Sequence, residues 1–259
     1  MDLEPQPETS APSHRRRSSC SNCNRPLPVC LCHVIPTSPI PTASQIIIIQ
    51  HPHESRHKLN TTPALTKCLL NATSLISRRL TPNLHPLLTN NHPSPATFYL
   101  FPPTHSSPAI TLSDLKKSVN EFRNTNNVPV VLIVFDATWK HAKEMVSASE
   151  GYLSKFSTRV CLDGFDEGRE GGSIYDSELV LRKEPCGGCV STLEAVARWL
   201  GAMEENGPEI EERLIVASPW ATSTYLTDIF NLVDANVKPL GNESHSLNIT
   251  KPISAILFY

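Results

Sequence analysis

The feature that most constrains the fold is an unbroken apolar run, Val130–Phe135, that stops at Asp136. Four of its six residues are β-branched, and a short run of this kind is typical of a strand buried on both faces of a parallel sheet. The residues from Ala137 to Val146 then change to helical spacing. A buried strand that leads into a helix predicts an α/β fold, with a mostly parallel sheet flanked by helices.

This reading places Asp136 at the carboxyl end of a central strand, which is where open α/β sheets bind their ligands. The same residue could instead cap the following helix by accepting a backbone N–H. The two roles are compatible, and spacing alone leaves both open. Trp139 likewise fits either a core position or the wall of a ligand pocket.

A second buried strand is predicted at Gln45–Gln50, which contains four consecutive isoleucines. The segment that follows, residues 51–58, carries three histidines and two cations and is a candidate anion-facing loop. We expect substrate or RNA contact here, and a solvated loop is the alternative. The irregular spacing of the histidines does not resemble a zinc triad.

Composition narrows the function further. All ten glycines lie at or after Gly151, so the first half cannot hold a glycine-rich phosphate loop, which favours a ligand without phosphates. The formal net charge of -2 means that any nucleic-acid contact needs a local basic patch. No apolar run approaches the roughly 20 residues of a membrane span, and the N-terminus has no apolar signal region, so we expect no membrane partner.

Four cysteines lie within thirteen positions near the N-terminus. This density, in a chain without a secretory signal, predicts a structural zinc site rather than disulfides, with His33 as an alternative ligand. The expected ligands are Cys20, Cys23, Cys30 and Cys32. The predicted organisation is a disordered tail at 1–18, a zinc-binding module at 19–36 and an α/β catalytic domain at 37–259. The second C-x-x-C pair, Cys186 and Cys189, is weak evidence for a metal.

The remaining elements are read from local signals. Helices are expected from Thr62-Pro63 through Leu70 and from Ser113 to Arg123, and short strands at Leu84–Leu88, Thr97–Phe101, Thr158–Leu162 and Ile253–Phe258. Ser191-x-x-Glu194 forms a capping box that opens a further helix, directly after a glycine pair that lets backbone approach a ligand.

Four of these motifs, taken in order, resemble the DTW-domain family of tRNA-uridine aminocarboxypropyltransferases. They are the cysteine cluster, Gln50-His51-Pro52-x-Glu54, Asp136-Ala137-Thr138-Trp139, and Arg182-x-x-Pro185 followed by Ser191-Thr192-Leu193-Glu194-Ala195. The resemblance covers roughly residues 20–235. It implies an α/β fold related to the SPOUT methyltransferases, which are knotted and bind their cofactor without a glycine-rich loop.

The resemblance implies an enzyme that transfers the 3-amino-3-carboxypropyl group of S-adenosylmethionine to N3 of a uridine in tRNA. A carboxylate at a strand end suits a general base for the uridine N3–H, and Asp136 is our candidate, with Thr138 orienting a reactant and Trp139 stacking on the uracil or shaping the pocket wall. Arg182 would grip the methionine carboxylate or a tRNA phosphate. The other expected contacts are with the cofactor at Gly188, Ser191, Thr192 and Glu194, and with the tRNA at His51, Arg56, Lys58 and Lys140.

Two rival functions stay open at this point. One keeps the fold and makes the chain a SPOUT-type RNA methyltransferase, which would release S-adenosylhomocysteine rather than methylthioadenosine. The other is a non-catalytic zinc-ribbon protein that binds RNA. We expect a cytoplasmic protein, with the nucleus as the alternative because Arg15-Arg16-Arg17 resembles an import signal.

Overall fold

The fold is taken from a computed structural model of the chain. It describes residues 18–23, 25–27, 30–33, 35–57, 60–88, 96–123, 130–163 and 190–216. The predicted tail at 1–18 (apart from residue 18), the strand predicted at Ile253–Phe258, and the loop that carries Arg182 and Gly188 lie outside these residues. Lys58 does too.

The described chain alternates strands with helices, as the sequence predicts. The strands are β1 Gln45–Gln50, β2 Ala72–Ile76, β3 Ala96–Leu100, β4 Ile110–Thr111, β5 Val130–Asp136 and β6 Thr158–Cys161. The helices are α1 Thr62–Cys68, α2 Leu112–Arg123, α3 Trp139–Leu153, α4 Thr192–Met203 and α5 Gly207–Val216, with short 3₁₀ turns at Glu54–Arg56, Pro82–Leu84 and Pro86–Leu88.

The six strands form one sheet in the order β2-β1-β5-β3-β6-β4, and each pairing between the described strands is parallel. β5 therefore lies inside the sheet between β1 and β3, and all seven of its residues are buried. The predicted α/β class and the central place of β5 are confirmed. The register pairs Gln50 with Asp136, so β1 and β5 end side by side at the carboxyl edge of the sheet.

Helices cover both faces of the sheet. Alternate residues of β1 and β5 pack against α1, α2, α4 and α5 on one face, where Trp199 of α4 is fully buried. The intervening residues pack against α3 and the segment around Leu80 and Leu88 on the other face. This arrangement explains the unbroken apolar runs, because a strand covered on both sides needs apolar residues at every position.

Two local predictions need correction. In place of the strand predicted at residues 84–88 there are two 3₁₀ turns, Pro82–Leu84 and Pro86–Leu88, because the two prolines fix φ near the helical value and remove backbone donors. Asp136 does not cap α3, since Thr138 does: its side chain accepts from the backbone N–H of His141. The helix start predicted at Ser191 is confirmed, with the Ser191 side chain accepting from the Glu194 N–H as the N-cap of α4.

Within the described ranges, no helix is both long and apolar enough to cross a membrane. The knot and the relation to SPOUT proteins stay predictions, because residues 164–189 and 217–259 lie outside the described part of the chain.

Candidate active site at the carboxyl edge of the sheet

The carboxylate of Asp136 joins four segments of the chain. It lies at the end of β5, is 7% exposed, and accepts hydrogen bonds from three side chains. Oδ2 accepts from Gln50 Nε2 at 2.7 Å and from the Thr62 hydroxyl at 2.6 Å, and Oδ1 accepts from the Thr192 hydroxyl at 2.8 Å. We call these four residues the Asp136 cluster.

Each donor of the Asp136 cluster is fixed by its own element. Gln50 ends β1 directly opposite Asp136 in the register. Thr62 begins α1, and its backbone N–H donates to the buried Asn60 side chain at 2.9 Å. Thr192 begins α4 behind the Ser191 cap. The cluster therefore joins two strand ends and two helix starts.

The donors to Asp136 are neutral. Among the residues that the structure describes, no Lys, Arg or His forms a salt bridge with this carboxylate. A carboxylate offers about four acceptor positions, so three bonds leave roughly one free. The cluster thus keeps a buried negative charge and one acceptor position at the strand end, where a proton or a cationic ligand could be received.

Thr138 and Trp139 lie immediately beyond this point. The Thr138 hydroxyl is 3.1 Å from His141 Nδ1, in addition to its role as cap of α3. Trp139 is partly exposed, and its ring centroid lies 6.0 Å from that of Phe101. Trp139 is therefore not a fully buried core residue, and its partly exposed ring is compatible with the predicted contact with a reactant.

Three histidines meet beside the Asp136 cluster. The backbone N–H of His51 donates to the Asp136 carbonyl at 2.9 Å, and the His51 ring stacks on that of His141 with centroids 4.2 Å apart and planes within 9°. His53 meets both rings edge-on. Burial, followed by the charges of His141, His53 and Arg78, lowers the pKa of His51, so this ring is neutral at pH 7.

The histidine ligand atoms lie within 4.8 Å of one another, close enough to consider a metal. Their geometry argues against one, since stacked parallel rings cannot direct two in-plane lone pairs at a single ion. The His51 Nδ1 atom also already accepts from the His53 N–H at 3.2 Å. The sequence-based argument against a zinc triad concerned His51, His53 and His57, and the structure instead brings His141 to the first two.

The structure brings most of the described site residues to one edge. Asp136, Thr138, Trp139, His51 and Thr192 cluster there, and the exposed side chains of Arg56 and Lys140 follow β1 and β5 at the same edge. Glu194 differs from these, because its side chain is 7% exposed and forms an ion pair with Arg198 on the next turn of α4. Its predicted cofactor contact stays a prediction.

Sequence reasoning gave no site role to Thr62 or His141, and it included Gln50 and His53 only as members of the motif and loop that follow β1. One signal for Gln50 was available: like Asp136, it is a polar residue that ends a buried apolar run. For Thr62 and His141 the signal is weaker, because a threonine at a helix start and a histidine in the first turn of a helix are ordinary.

The four N-terminal cysteines converge as predicted. Cys20 Sγ is 3.4 Å from Cys32 Sγ, and Cys23 Sγ is 3.6 Å from Cys30 Sγ. Tetrahedral zinc with Zn–S bonds of about 2.3 Å would place its sulfurs roughly 3.8 Å apart, so the group fits a metal ion after a small expansion.

The chemistry of the thiols agrees with this fit. Backbone N–H groups, first of Cys23 and then of Asn22, lower the pKa of the Cys20 thiol to about 6. Desolvation and the contact with Cys20 raise the pKa of Cys32. A cation among the four sulfurs would relieve this conflict between neighbouring thiols. Asn22 also accepts from Lys67 of α1 at 3.0 Å, which fastens the cysteine cluster to the α/β domain.

Comparison with known proteins gives a consistent result. The model of the DTW domain family matches residues 17–229. A curated Arabidopsis thaliana protein named tRNA-uridine aminocarboxypropyltransferase A is 56% identical over 213 residues, which are 80% of this chain and 81% of the relative. A Drosophila melanogaster protein named tRNA-uridine aminocarboxypropyltransferase 2 is 30% identical over 209 residues, 80% of this chain and 74% of the relative. No solved structure shows a significant match.

Proposed function

The chain belongs to the DTW-domain family, and we propose that it is a tRNA-uridine aminocarboxypropyltransferase that forms 3-(3-amino-3-carboxypropyl)uridine. The similarity to the Arabidopsis relative over four fifths of both chains supports this assignment. The donor for such a transfer is S-adenosylmethionine, and the acceptor is N3 of a uridine in tRNA. The absence of glycine before Gly151 agrees with a donor that carries no phosphate.

The observation that carries the proposal is the Asp136 cluster. A buried carboxylate that is held by neutral donors at the end of a central parallel strand is costly to maintain, and ligands bind at such edges. S-adenosylmethionine brings two positive charges, a sulfonium and an ammonium, that an uncompensated carboxylate would attract. The site therefore suits a cationic donor.

In the proposed reaction, the uridine N3–H gives its proton to the free acceptor position of Asp136. N3 then forms a bond to Cγ of the donor while the Cγ–S bond breaks, and its electron pair goes to sulfur, so that methylthioadenosine leaves. The sulfonium is already an activated leaving group, and most of the rate gain comes from presenting Cγ rather than the methyl carbon to N3.

The other roles follow this geometry. Thr138 orients a reactant, and Trp139 stacks on the uracil or forms the pocket wall. On the donor side, Arg182 binds the methionine carboxylate through its planar fork, with Gly188, Ser191, Thr192 and Glu194 lining the same site. On the RNA side, the proposed contacts are His51, Arg56, Lys58 and Lys140.

The cysteine cluster holds structural zinc in this proposal, with Cys20, Cys23, Cys30 and Cys32 as ligands. Metal analysis should find one zinc per chain, and Cys23→Ser together with Cys30→Ser should abolish it and lower the melting temperature. Cys68→Ser is the matched control, since this buried cysteine lies in α1 outside the cluster. Full zinc content in the double variant would remove the cluster as the metal site.

The direct test of function uses wild-type chain, unmodified tRNA and S-adenosylmethionine, followed by nucleoside mass spectrometry. We expect one aminocarboxypropyl group on a uridine for each methylthioadenosine released. A methylated nucleoside together with S-adenosylhomocysteine would replace the proposal with methyl transfer. Binding of tRNA without any product would favour the non-catalytic alternative.

A further inference from the structure

A second basic segment, absent from the sequence-based site, follows the edge strand β2. Ser77 begins it: its backbone N–H donates to the Gln50 carbonyl at 3.0 Å, which ties the segment to the end of β1. The Ser77 hydroxyl donates to the Arg79 carbonyl at 2.7 Å and accepts from the Arg79 N–H at 3.3 Å. Leu80 is then anchored by its N–H to the buried Ser149 hydroxyl at 2.8 Å.

This short turn therefore has a fixed backbone, whereas its two arginines point outward. Both Arg78 and Arg79 are exposed. Arg78 directly follows Ser77, so its backbone lies one residue from the hydrogen bond to Gln50 of the Asp136 cluster, and its charge helps to lower the pKa of His51.

Three neighbouring strands now show the same pattern at their carboxyl ends. β2 is followed by Arg78 and Arg79, β1 by Arg56, and β5 by Lys140, and all four side chains are exposed. The strands are adjacent in the order β2-β1-β5. Since neighbouring strands lie about 4.8 Å apart, the cations extend across roughly 10 Å or more of the edge. We call these four residues the basic edge.

The acids near the basic edge do not neutralise it. Glu54 and Glu144 lie on the same side, and the influence of Glu144 on His51 is smaller than that of the two histidines and Arg78. Among the described residues, none of the four cations forms a salt bridge. In a chain of net charge -2, such a local excess of positive charge needs its own explanation.

We propose that Arg78 and Arg79 bind phosphates of the tRNA strand that carries the target uridine, and that the basic edge is the track along which this strand reaches Asp136. The inference rests on the proposed function and extends it to residues that none of the four sequence motifs contains. The donor has no phosphate, and its single carboxylate is already assigned to Arg182, so Arg78 and Arg79 are left to serve the RNA. Guanidinium groups suit this role because they bind phosphate oxygens through two parallel N–H bonds.

The test measures the affinity of the full chain for unmodified tRNA between about 50 and 300 mM salt, a range in which phosphate contacts dominate the salt dependence. The variant is Arg78→Ala with Arg79→Ala. The matched control is Lys116→Ala with Lys155→Ala, which also removes two exposed cations. Both control residues lie away from the basic edge. Lys140 is near the start of α3, whereas Lys155 follows the end of that helix, and Lys116 lies on α2, next to the edge strand β4 on the opposite side of the sheet.

For the arginine variant we expect the slope of log Kd against log salt to shrink by about 1.4 to 1.8, as for the loss of two phosphate contacts. Its tRNA affinity should fall about tenfold or more at low salt, while its affinity for S-adenosylmethionine and its melting temperature match the wild type. The control should keep the wild-type slope.

An unchanged slope in the arginine variant, or equal losses in variant and control, overturns the basic edge as an RNA track. A fall in kcat with unchanged tRNA affinity overturns it as well, because the arginines would then act on the reaction. The proposed function is tested separately, by mass spectrometry of the nucleosides that the wild type produces from the same tRNA and S-adenosylmethionine. If the wild type forms product but the arginine variant keeps the wild-type salt slope, only the role of the basic edge is refuted. If the variant's salt slope shrinks as expected but the wild type forms no product, only the transferase function is refuted.

Discussion

Two buried charged residues of the same sheet differ in whether an opposite charge neutralises them. Asp136 and Arg159 are each 7% exposed. Arg159 gives its Nη2 to Glu150 at 2.9 Å and its Nε to the Tyr99 hydroxyl at 2.8 Å, and its Nη1 lies within reach of the Pro102 and Ser107 carbonyls. The charge of Arg159 is therefore neutralised by an acid, whereas that of Asp136 meets only neutral donors within the described chain.

The difference separates a structural charge from a functional one. The Arg159 cluster, made of Arg159, Glu150, Tyr99 and Ser107, fastens β6 to β3, to the end of α3 and to the loop before β4, and it leaves no net charge to offer. The Asp136 cluster instead buries a negative charge, at a cost in desolvation, that no cation of the described residues neutralises. Such a charge is retained for what binds next to it.

The largest expected effect separates the two clusters by activity. Asp136→Asn keeps the shape of the side chain and removes its charge and its capacity as a base, so kcat for aminocarboxypropyl transfer should fall by about 10³-fold. The free energy of unfolding should fall by only about 1–2 kcal/mol, because the Thr62 hydroxyl and the Gln50 amide can turn to meet the new amide. Single-turnover kinetics measures the loss of rate, and urea denaturation measures the change in the free energy of unfolding.

The next effect is the reverse pattern at the other cluster. Arg159→Met should lower the free energy of unfolding by about 3 kcal/mol, since Glu150 loses its cation and the buried Tyr99 hydroxyl loses its N–H donor, although Tyr99 still donates to Glu150. Glu150 is partly exposed, which keeps the loss at the lower end of the range for buried pairs. Turnover per folded molecule should stay within about threefold of the wild type. If kcat dropped as far as in Asp136→Asn, the Arg159 cluster could not be called structural in contrast to the Asp136 cluster.

A third change weakens the Asp136 cluster without touching its charge. Thr192→Val removes the donor to Oδ1 in a side chain of the same shape, and the loss of a hydrogen bond to a charged group costs about 1.5–3 kcal/mol, which corresponds to roughly tenfold or more in rate if it is felt in the transition state. Thr73→Val is the matched control, on the exposed side of the edge strand β2. Equal kinetics in both variants would show that the Thr192 donor is dispensable.

The smallest effect is a pH dependence next to the cluster. Burial, then His141, His53 and Arg78, lower the pKa of His51 in the folded chain. As the pH falls below about 6.5, the unfolded chain takes up a proton there that the folded chain does not, so stability is lost on acidification. His51→Gln should flatten the fall in the free energy of unfolding between pH 7 and 5. His105→Gln, at an exposed loop position, should follow the wild-type curve.

Much of this arrangement follows from the sequence, and the remainder has identifiable physical reasons. The apolar runs of β1 and β5 reveal strands covered on both faces, and Ser191 and Glu194 reveal the start of α4, because each of these signals is local. β2 escapes notice since an edge strand needs apolar residues on one side only, and Ala72–Ile76 is short and half-exposed.

The Asp136 cluster itself is harder to foresee. Its members come from positions 50, 62, 136 and 192, and only the strand order places them together. Nothing local to Gln50 says that β1 lies beside β5, since that neighbourhood is set by the crossovers between strands. The same reason hides Arg78 and Arg79, which reach the site only because β2 pairs with β1.

The most direct test compares Asp136→Asn and Arg159→Met in one assay, with unmodified tRNA and S-adenosylmethionine as substrates and mass spectrometry of the modified uridine as readout, at equal concentrations of folded protein. The expected result is loss of product in Asp136→Asn and near wild-type product in Arg159→Met. Wild-type product from Asp136→Asn would contradict the assignment of the uncompensated carboxylate to the reaction.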